Sequence, residues 1–255
     1  MMRRTLLYAT ILAVALPSMS FAARAGDNPA PPSLAAFDDQ LRVFRRVVRQ
    51  YCAIVQDMAK EKDLDAAKQG KGLTLLADAR RQWADVQKAF AGNPPVEYAA
   101  DVQFKARLWD ISNALEDMEK SLAAGQPRRS MLACGYGCGL FVTMHEENGI
   151  VHALDRLFHL RKTIKTATAV YKVRGLDGVR PLLPALARLR DEVFLAPLPW
   201  PAGDGRNGEY AAALRELSAE LDDLAAAVIS GDAAKAGGLL NGLTALVNKP
   251  YGLAL

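Results

Sequence analysis

Residues 33–58 read SLAAFDDQLRVFRRVVRQYCAIVQDM, and this stretch decides the fold. Its large apolar residues are spaced alternately by four and three positions: Phe37, Leu41, Phe44, Val48, Tyr51, Val55 and Met58. This spacing places them on one face of a helix, as in the seam of a helical bundle. Ser33 is a favourable N-cap, because its hydroxyl accepts a hydrogen bond from a free backbone N–H of the first turn.

Comparable apolar spacing recurs downstream, in segments separated by turns rich in glycine and proline. The predicted helices after the first cover about 73–90, 96–122, 128–147, 150–173, 181–195, 209–229 and 232–247. No stretch keeps a period-two alternation, so a β-sheet is not expected. The sequence predicts an all-α protein of about eight helices, arranged as two related up-and-down helical-bundle units.

An internal repeat supports the two units. When the chain is displaced by 106 residues, Leu108 meets Leu214, Leu115 meets Leu221, and the turn glycines 125 and 231 coincide. Similarity of composition among amphipathic helices is the alternative explanation, but here the turns align as well as the helices. We expect one unit over residues 34–147 and a degenerate copy over residues 148–255.

The N-terminus has the pattern of a secretory signal. Residues 1–4 are MMRR, residues 6–16 are apolar, and residues 20–22 (SFA) offer a cleavage site between small residues. The apolar run is shorter than the ~20 residues that span a bilayer. We therefore predict a signal peptide over residues 1–22, a linker over 23–33, and a mature protein in a bacterial periplasm without a membrane span.

Charge and motifs exclude several functions. The formal net charge is +4, and loss of Arg3 and Arg4 with the signal peptide lowers it to about +2. That balance does not favour nucleic-acid binding. The chain contains no Gly-x-Ser-x-Gly, P-loop or His-Glu-x-x-His motif, so it offers no recognisable catalytic site.

Residues 134–159 concentrate the chemically distinctive side chains. They hold Cys134 and Cys138, two of the three cysteines, and all three histidines: His145, His152 and His159. On a helix Cys134 and Cys138 share a face, but His145 is about 10.5 Å of rise beyond Cys138. Because metal–ligand bonds are only about 2.0–2.3 Å, one shared site requires a bend.

Glycines at 135, 137 and 139 are unfavourable in a helix and are expected to supply that bend. The predicted metal ligands are Cys134, Cys138, Met144 and His145, a sulfur-rich set that suits copper(I) or zinc. Close backbone approach at the glycines also allows a flat cofactor such as haem, held by Cys134, Cys138 and His145. Electron transfer or metal handling with a periplasmic redox or metal-handling partner is the function expected from such a site.

Simpler explanations stay open for the same residues. Three cysteines allow one disulfide with one free thiol, a Cys134–Cys138 disulfide, or a metal-held pair with Cys52 as a buried apolar residue. His152 and His159 flank Asp155 at helical spacing, so one of them could form a surface salt bridge. The alternative function is a cofactor-free helical interaction or scaffold module with a structural disulfide. A thiol redox role is less supported, because no adjacent base lowers a cysteine pKa.

The signal peptide, the helix end at 115–125 and the following cysteine pair resemble the cytochromes c-prime, over roughly residues 34–147. The resemblance implies a four-helix bundle with covalent haem, in which Cys134 and Cys138 occupy the thioether positions. The spacing here is Cys-x3-Cys, and Gly139 stands where that family has its proximal histidine. His145 would have to replace that histidine.

Overall fold

The computed structural model describes residues 30–255. The predicted signal peptide and the linker as far as residue 29 lie outside the described residues. Over residues 30–255 the chain forms eight α-helices and no β-strand, which confirms the all-α prediction. The helices are α1 (Leu34–Met58), α2 (Ala66–Phe90), α3 (Phe104–Ala123), α4 (Pro127–Glu147), α5 (Ala153–Val179), α6 (Leu183–Leu195), α7 (Arg206–Ser230) and α8 (Ala233–Leu253). Short 3₁₀ turns at Val96–Tyr98 and Arg180–Leu182 precede α3 and α6.

Helix α1 is built as its sequence predicts. The Ser33 side chain accepts a hydrogen bond from the backbone N–H of Ala36 and caps the helix. All seven residues of the apolar seam are buried. Their burial against the neighbouring helices supplies the main stabilisation of α1, because isolated helices gain little from propensity alone.

The helices form two four-helix groups. In each group consecutive helices pack against one another and the last packs on the first: α1 to α4 in one, α5 to α8 in the other. The buried apolar residues divide in the same way, into a cluster that ends near Met144 and another that begins at Ala153. We call these groups the first and second bundle. Both belong to one compact unit, residues 31–255.

Helix α4 corrects the predicted bend. The helix is continuous from Pro127 to Glu147 and passes through Gly135, Gly137 and Gly139. Packing outweighs the propensity cost, because a Cβ on Gly137 would lie 3.1 Å from Met118 Cε and 3.4 Å from Ala114 Cβ. Gly137 therefore permits close approach of α3 and α4 and does not break α4.

Other bounds shift where capping was not recognised. Helix α2 begins seven residues before the predicted start, because the Asp65 side chain caps it by accepting from the N–H of Lys68. Helix α3 begins at Phe104, after a 3₁₀ turn that the prediction had merged into it. Helix α5 extends to Val179, but Gly175, with a φ of +59°, interrupts its helical backbone just after the predicted end at residue 173.

The bounds of the later helices follow the displacement noted in the sequence. Adding 106 to the residue numbers of α4 (Pro127–Glu147) gives the bounds of α8 (Ala233–Leu253). The turn glycines that precede them, Gly125 and Gly231, both have positive φ. A common origin of the two bundles stays a prediction. Over residues 30–255 no helix combines the length and apolar character needed to cross a membrane.

Candidate functional site

The structure divides the predicted ligand set between two places. Cys134 and Cys138 lie beside Cys52, whereas the His145 ring lies with Asp38 and His152. Met144 is fully buried in the core of the first bundle. Because α4 is not bent, Cys138 and His145 stay about 10 Å apart along its axis. The predicted site of Cys134, Cys138, Met144 and His145 is therefore not assembled.

The sulfur group contains a disulfide between helices. Cys52 of α1 is bonded to Cys134 of α4, with the Cα atoms 6.1 Å apart, and Cys138 is free. Of the alternatives left open by the sequence, the structure therefore has one disulfide and one free thiol. Cys52 is a partner in the disulfide and not an isolated apolar residue, and Cys134 is not bonded to Cys138. The one signal for this pairing was that Cys52 adjoins the buried seam of α1, which packs on α4.

The free thiol is poorly suited to metal binding or nucleophilic attack. Burial raises the pKa of Cys138, and the positive charges of Arg45 and Arg161 offset only part of that effect. The thiolate is the form that binds metals and attacks disulfides. Cys138 therefore stays protonated near neutral pH.

The second group, Asp38, His145 and His152, has the composition of a metal centre; we call it the His–Asp site. Asp38 belongs to the first turns of α1, His145 to the last turn of α4, and His152 directly precedes α5. His152 Nε2 is 3.1 Å from Asp38 Oδ2, and His145 Nε2 is 3.9 Å from Asp38 Oδ1. The centroids of the two imidazole rings are 4.5 Å apart. One potential ligand atom from each residue lies within 4.8 Å of the others.

The turn between α4 and α5 brings the two histidines together. Gly149 adopts a φ of +69°, which favours glycine and ends α4. The backbone N–H of Ile150 donates to the carbonyl of His145 at 2.9 Å. The Asn148 amide donates to the carbonyl of Met144 at 2.8 Å. These bonds satisfy free carbonyls at the end of α4 and return the chain beside it, so that His152 faces His145.

Three polar atoms at the site, Asp38 Oδ1, His145 Nε2 and His152 Nε2, are buried and make no hydrogen bond of acceptable geometry. His152 Nε2 lies 3.1 Å from Asp38 Oδ2, but as an ion-pair contact only. Buried polar atoms in folded proteins almost always have a partner, because leaving one unpaired costs about 1–3 kcal/mol. Here three such atoms converge on one point. All three are ligand types for divalent transition metals.

A carboxylate behind His145 fixes the direction of its ring. His145 Nδ1 donates to Asp155 Oδ2 at 2.5 Å, and the Arg45 guanidinium lies 3.4 Å from Asp155 Oδ1. Burial alone would raise the pKa of Asp155, but the His145 hydrogen bond and the Arg45 charge outweigh it and lower that pKa. Asp155 is therefore an ionised acceptor for the Nδ1 hydrogen of His145, and this hydrogen bond directs Nε2 at the His–Asp site.

A small cavity of about 160 Å³ opens beside the ligand atoms. Its walls include Arg42, Arg45, Val151 and Pro199 together with the three candidate ligands. The volume accommodates a few water molecules or a small anion. A metal held by Asp38, His145 and His152 would thus keep a coordination position facing this cavity.

Tyr98 closes the site from the 3₁₀ turn before α3. Its ring centroid is 6.4 Å from that of His145, and its hydroxyl is buried without a partner. Burial first, and then the negative charges of Asp38 and Asp155, raise the pKa of Tyr98 well above its ordinary range. Tyr98 is therefore a neutral hydroxyl with a free hydrogen bond at the edge of the site.

His159 is separate from this arrangement. Its Nε2 lies 3.1 Å from Glu146 Oε1 at the surface, so it forms the expected surface pair, but with Glu146 and not with Asp155. Sequence reasoning missed Asp38, Asp155 and Cys52 as site residues. Asp38 and Asp155 carry no local motif and come together only through packing of α1 on α4 and α5.

The structure separates the residues that the cytochrome c-prime resemblance assigns to haem. Cys134 has no free thiol while it is bonded to Cys52, and His145 belongs to the separate His–Asp site. Two four-helix bundles do not identify a function, because many unrelated proteins share this architecture. No protein-family model, curated protein or solved structure matches this chain.

Proposed function

We propose that this protein is an exported helical bundle that binds a divalent transition-metal ion through Asp38, His145 and His152. The observation that carries the proposal is the convergence of three buried ligand atoms without hydrogen-bond partners. The Asp155 carboxylate behind His145 supports it, because ligating histidines usually donate their other ring N–H to such a group. A periplasmic metal-handling partner belongs to the same proposal.

The donor set selects the class of metal. Two imidazole nitrogens and one carboxylate oxygen suit Zn²⁺, Fe²⁺ or Co²⁺. They do not suit copper(I), which prefers sulfur, or Ca²⁺ and Mg²⁺, which prefer oxygen. This nitrogen–oxygen donor set differs from the sulfur-rich copper(I) or zinc site expected from the sequence.

The residues around the site have separable tasks. Asp38, His145 and His152 would hold the ion, which would supply Lewis acidity at the face of the small cavity. Asp155 holds the proton at Nδ1 of His145 and so keeps Nε2 available. Arg45 neutralises Asp155.

Cobalt titration tests the proposal. We expect the metal-free protein to bind one equivalent of Co²⁺, with visible absorption bands of a nitrogen–oxygen site and no thiolate-to-cobalt charge-transfer band. His152→Ala should abolish these bands, and His159→Ala is the matched control that should retain them. If His152→Ala binds Co²⁺ like the parent protein, or if the spectrum shows thiolate ligation, the assignment of the His–Asp site is wrong.

The Cys52–Cys134 disulfide favours a second candidate, a cofactor-free interaction or scaffold module. Such a protein would show full thermal stability in the presence of a chelator and no bound metal after purification. Metal analysis combined with melting curves separates the two candidates. Covalent haem would appear as a Soret band in the same sample, and we expect none.

A further inference from the structure

A second and larger cavity, of about 670 Å³, lies between the two bundles. Helices α1 and α4 of the first bundle and α5 and α8 of the second contribute its walls. Sites for small organic molecules typically have volumes of about 300–1,000 Å³ and mostly apolar walls with a few polar groups. The cavity is therefore large enough for one such molecule.

The walls of this cavity differ in character. Helix α4 contributes no charged residue and presents apolar or aromatic surface through Met131, Leu132, Tyr136 and Phe141. Helix α5 presents mainly cations, which are Arg161, Lys162 and Lys165. A molecule that fills the space meets an apolar surface on one side and positive charge on the other.

The positive charge is not neutralised by the protein. No aspartate or glutamate of the described chain lines the cavity. Arg45 is paired with Asp155, but Arg49, Arg161, Lys162 and Lys165 form no ion pair with a described carboxylate. Arg49 Nη1 and Arg161 Nε are buried without a hydrogen-bond partner. Buried charges are normally paired, so these atoms indicate an anion that the protein itself does not supply.

The two arginines are held in place for such a role. The guanidinium carbons of Arg49 and Arg161 lie 5.0 Å and 5.3 Å from the centroid of the Tyr251 ring. Arg49 Nη2 also donates to the carbonyl of Asn248 at 3.0 Å. Burial lowers the pKa of Arg49, and repulsion from Arg161 lowers it further. An anion between the two guanidinium groups would relieve this repulsion.

We propose that the cavity between the bundles binds an amphipathic organic anion. Its carboxylate, sulfonate or phosphate group contacts Arg49, Arg161 and Lys165, and its apolar body lies along α4. This site is separate from the proposed metal centre, and neither requires the other. Arg45 of α1 lines both cavities.

The charge requirement is tested with 8-anilinonaphthalene-1-sulfonate, an aromatic anion whose fluorescence rises in apolar surroundings. We expect saturable binding to the folded mature protein, and Arg161→Gln should weaken it about tenfold, the effect of one charge-assisted hydrogen bond. Lys172→Gln is the matched control, because Lys172 is an exposed cation of α5 that does not line the cavity. Equal affinities of parent and Arg161→Gln would overturn the proposal.

The space requirement is tested by filling the cavity from α4. Gly135 lines it, and a Cβ there would meet no atom within 4 Å. Gly135→Leu should therefore fold at least as well as the parent protein and lose dye binding. Gly139→Leu is its control on the same helix, since Gly139 also has open space but does not line the cavity. A folded Gly135→Leu protein that binds the dye normally would refute this location.

The sign of the ligand charge is tested by displacement of the bound dye with single-chain amphiphiles below their micellar concentrations. We expect dodecanoate to displace the dye and dodecyltrimethylammonium, with the same chain length, to fail. Dodecyl phosphate in a third titration distinguishes a phosphate head group from a carboxylate. If dodecyltrimethylammonium displaces the dye as effectively as dodecanoate does, the cavity binds apolar chains without regard to charge, and the proposal is overturned.

Discussion

His145, in the last turn of α4, donates its Nδ1 hydrogen to Asp155, in the first turn of α5, across the junction of the two bundles. This hydrogen bond connects the proposed metal centre to the buried Arg45–Asp155 pair. The side chains of Arg45 and Asp155 are 8% and 3% exposed, so neither charge can be compensated by water. The same carboxylate therefore orients a ligand and stabilises the interface between the bundles.

Asp155→Asn should weaken metal binding without removing a ligand. The amide can no longer serve as a charged acceptor for His145 Nδ1, and loss of such partners typically lowers metal affinity by about 10–100-fold. It also leaves Arg45 buried and unpaired, which should lower the free energy of unfolding by about 3 kcal/mol or more. Co²⁺ titration and urea denaturation measure the two effects on the same preparation.

Asp117→Asn is a suitable control for this pair of effects, because Asp117 forms an exposed ion pair with Arg129. Such surface pairs contribute about 0–1 kcal/mol. If Asp155→Asn changes neither Co²⁺ affinity nor stability more than the Asp117 variant does, the role assigned to Asp155 is wrong.

The strongest sequence signals concerned local periodicity. The seam of α1 was predictable because a repeat of three and four positions leaves only one helical face for seven large apolar side chains. Ser33 was recognisable as its cap for equally local reasons. The straightness of α4 was not predictable. Glycine is needed at position 137 because α4 packs closely on Ala114 and Met118 of α3, and a local pattern does not show that contact.

The candidate site depended on contacts that a local pattern does not encode. Arg45 and Asp155 are 110 positions apart, and Cys52 and Cys134 are 82 apart. The sequence drew attention to His145 because histidine is rare in this chain, but aspartates are common on helix surfaces. Only the packing of α1 on α4 distinguishes Asp38 from its exposed neighbour Asp39.

Reduction of the Cys52–Cys134 disulfide should destabilise the protein. The bond closes a loop of 82 residues between α1 and α4, and loss of such a bond typically costs about 2–5 kcal/mol. Urea denaturation with and without dithiothreitol measures the difference. Cys138→Ala should keep the effect of the reductant, and the double variant Cys52→Ser/Cys134→Ser should abolish it. An effect of reductant that persists in the double variant would contradict this pairing.

The Cys138 thiol should react slowly in the native protein. Burial raises its pKa, so the reactive thiolate is scarce near neutral pH. We expect carboxamidomethylation by iodoacetamide at pH 7.5 to be about tenfold slower, or more, than in urea, where the pKa returns to about 8.5. Peptide mass analysis without reductant should find the label on Cys138 alone. Labelling of Cys52 or Cys134 would contradict the disulfide.

Tyr51 should make the protein sensitive to alkali. Burial raises its pKa from an ordinary value near 10 to about 12, although its hydrogen bond with Ser130 opposes the shift. Because the pKa of Tyr51 is higher in the folded than in the unfolded protein, ionisation of Tyr51 favours unfolding. The free energy of unfolding should therefore be unaffected by Tyr51 below pH 10 and should fall as the pH rises from 10 to 12. The decrease in the free energy of unfolding should approach about 2–3 kcal/mol.

Tyr51→Phe isolates this contribution, because it keeps the ring and removes the ionisable group. Ser130 still donates to the carbonyl of Met118 at 2.8 Å in that variant. The stability difference between parent and variant, from urea denaturation at pH 9 and pH 11, should move in favour of the variant as the pH rises. A pH-independent difference would show that Tyr51 does not titrate in this way.

The glycines of α4 provide a matched pair for the packing argument. Gly139 and Gly137 lie in the same continuous helix, and each is expected to cost about 1 kcal/mol relative to alanine by propensity alone. A Cβ on Gly139 meets nothing within 4 Å, so Gly139→Ala should raise the free energy of unfolding by about 0.5–1 kcal/mol. A Cβ on Gly137 would press on Met118 at 3.1 Å, and this crowding should cancel or reverse the gain. Urea denaturation of both variants measures the contrast, and equal stabilisation would mean that α3 and α4 do not require glycine at position 137.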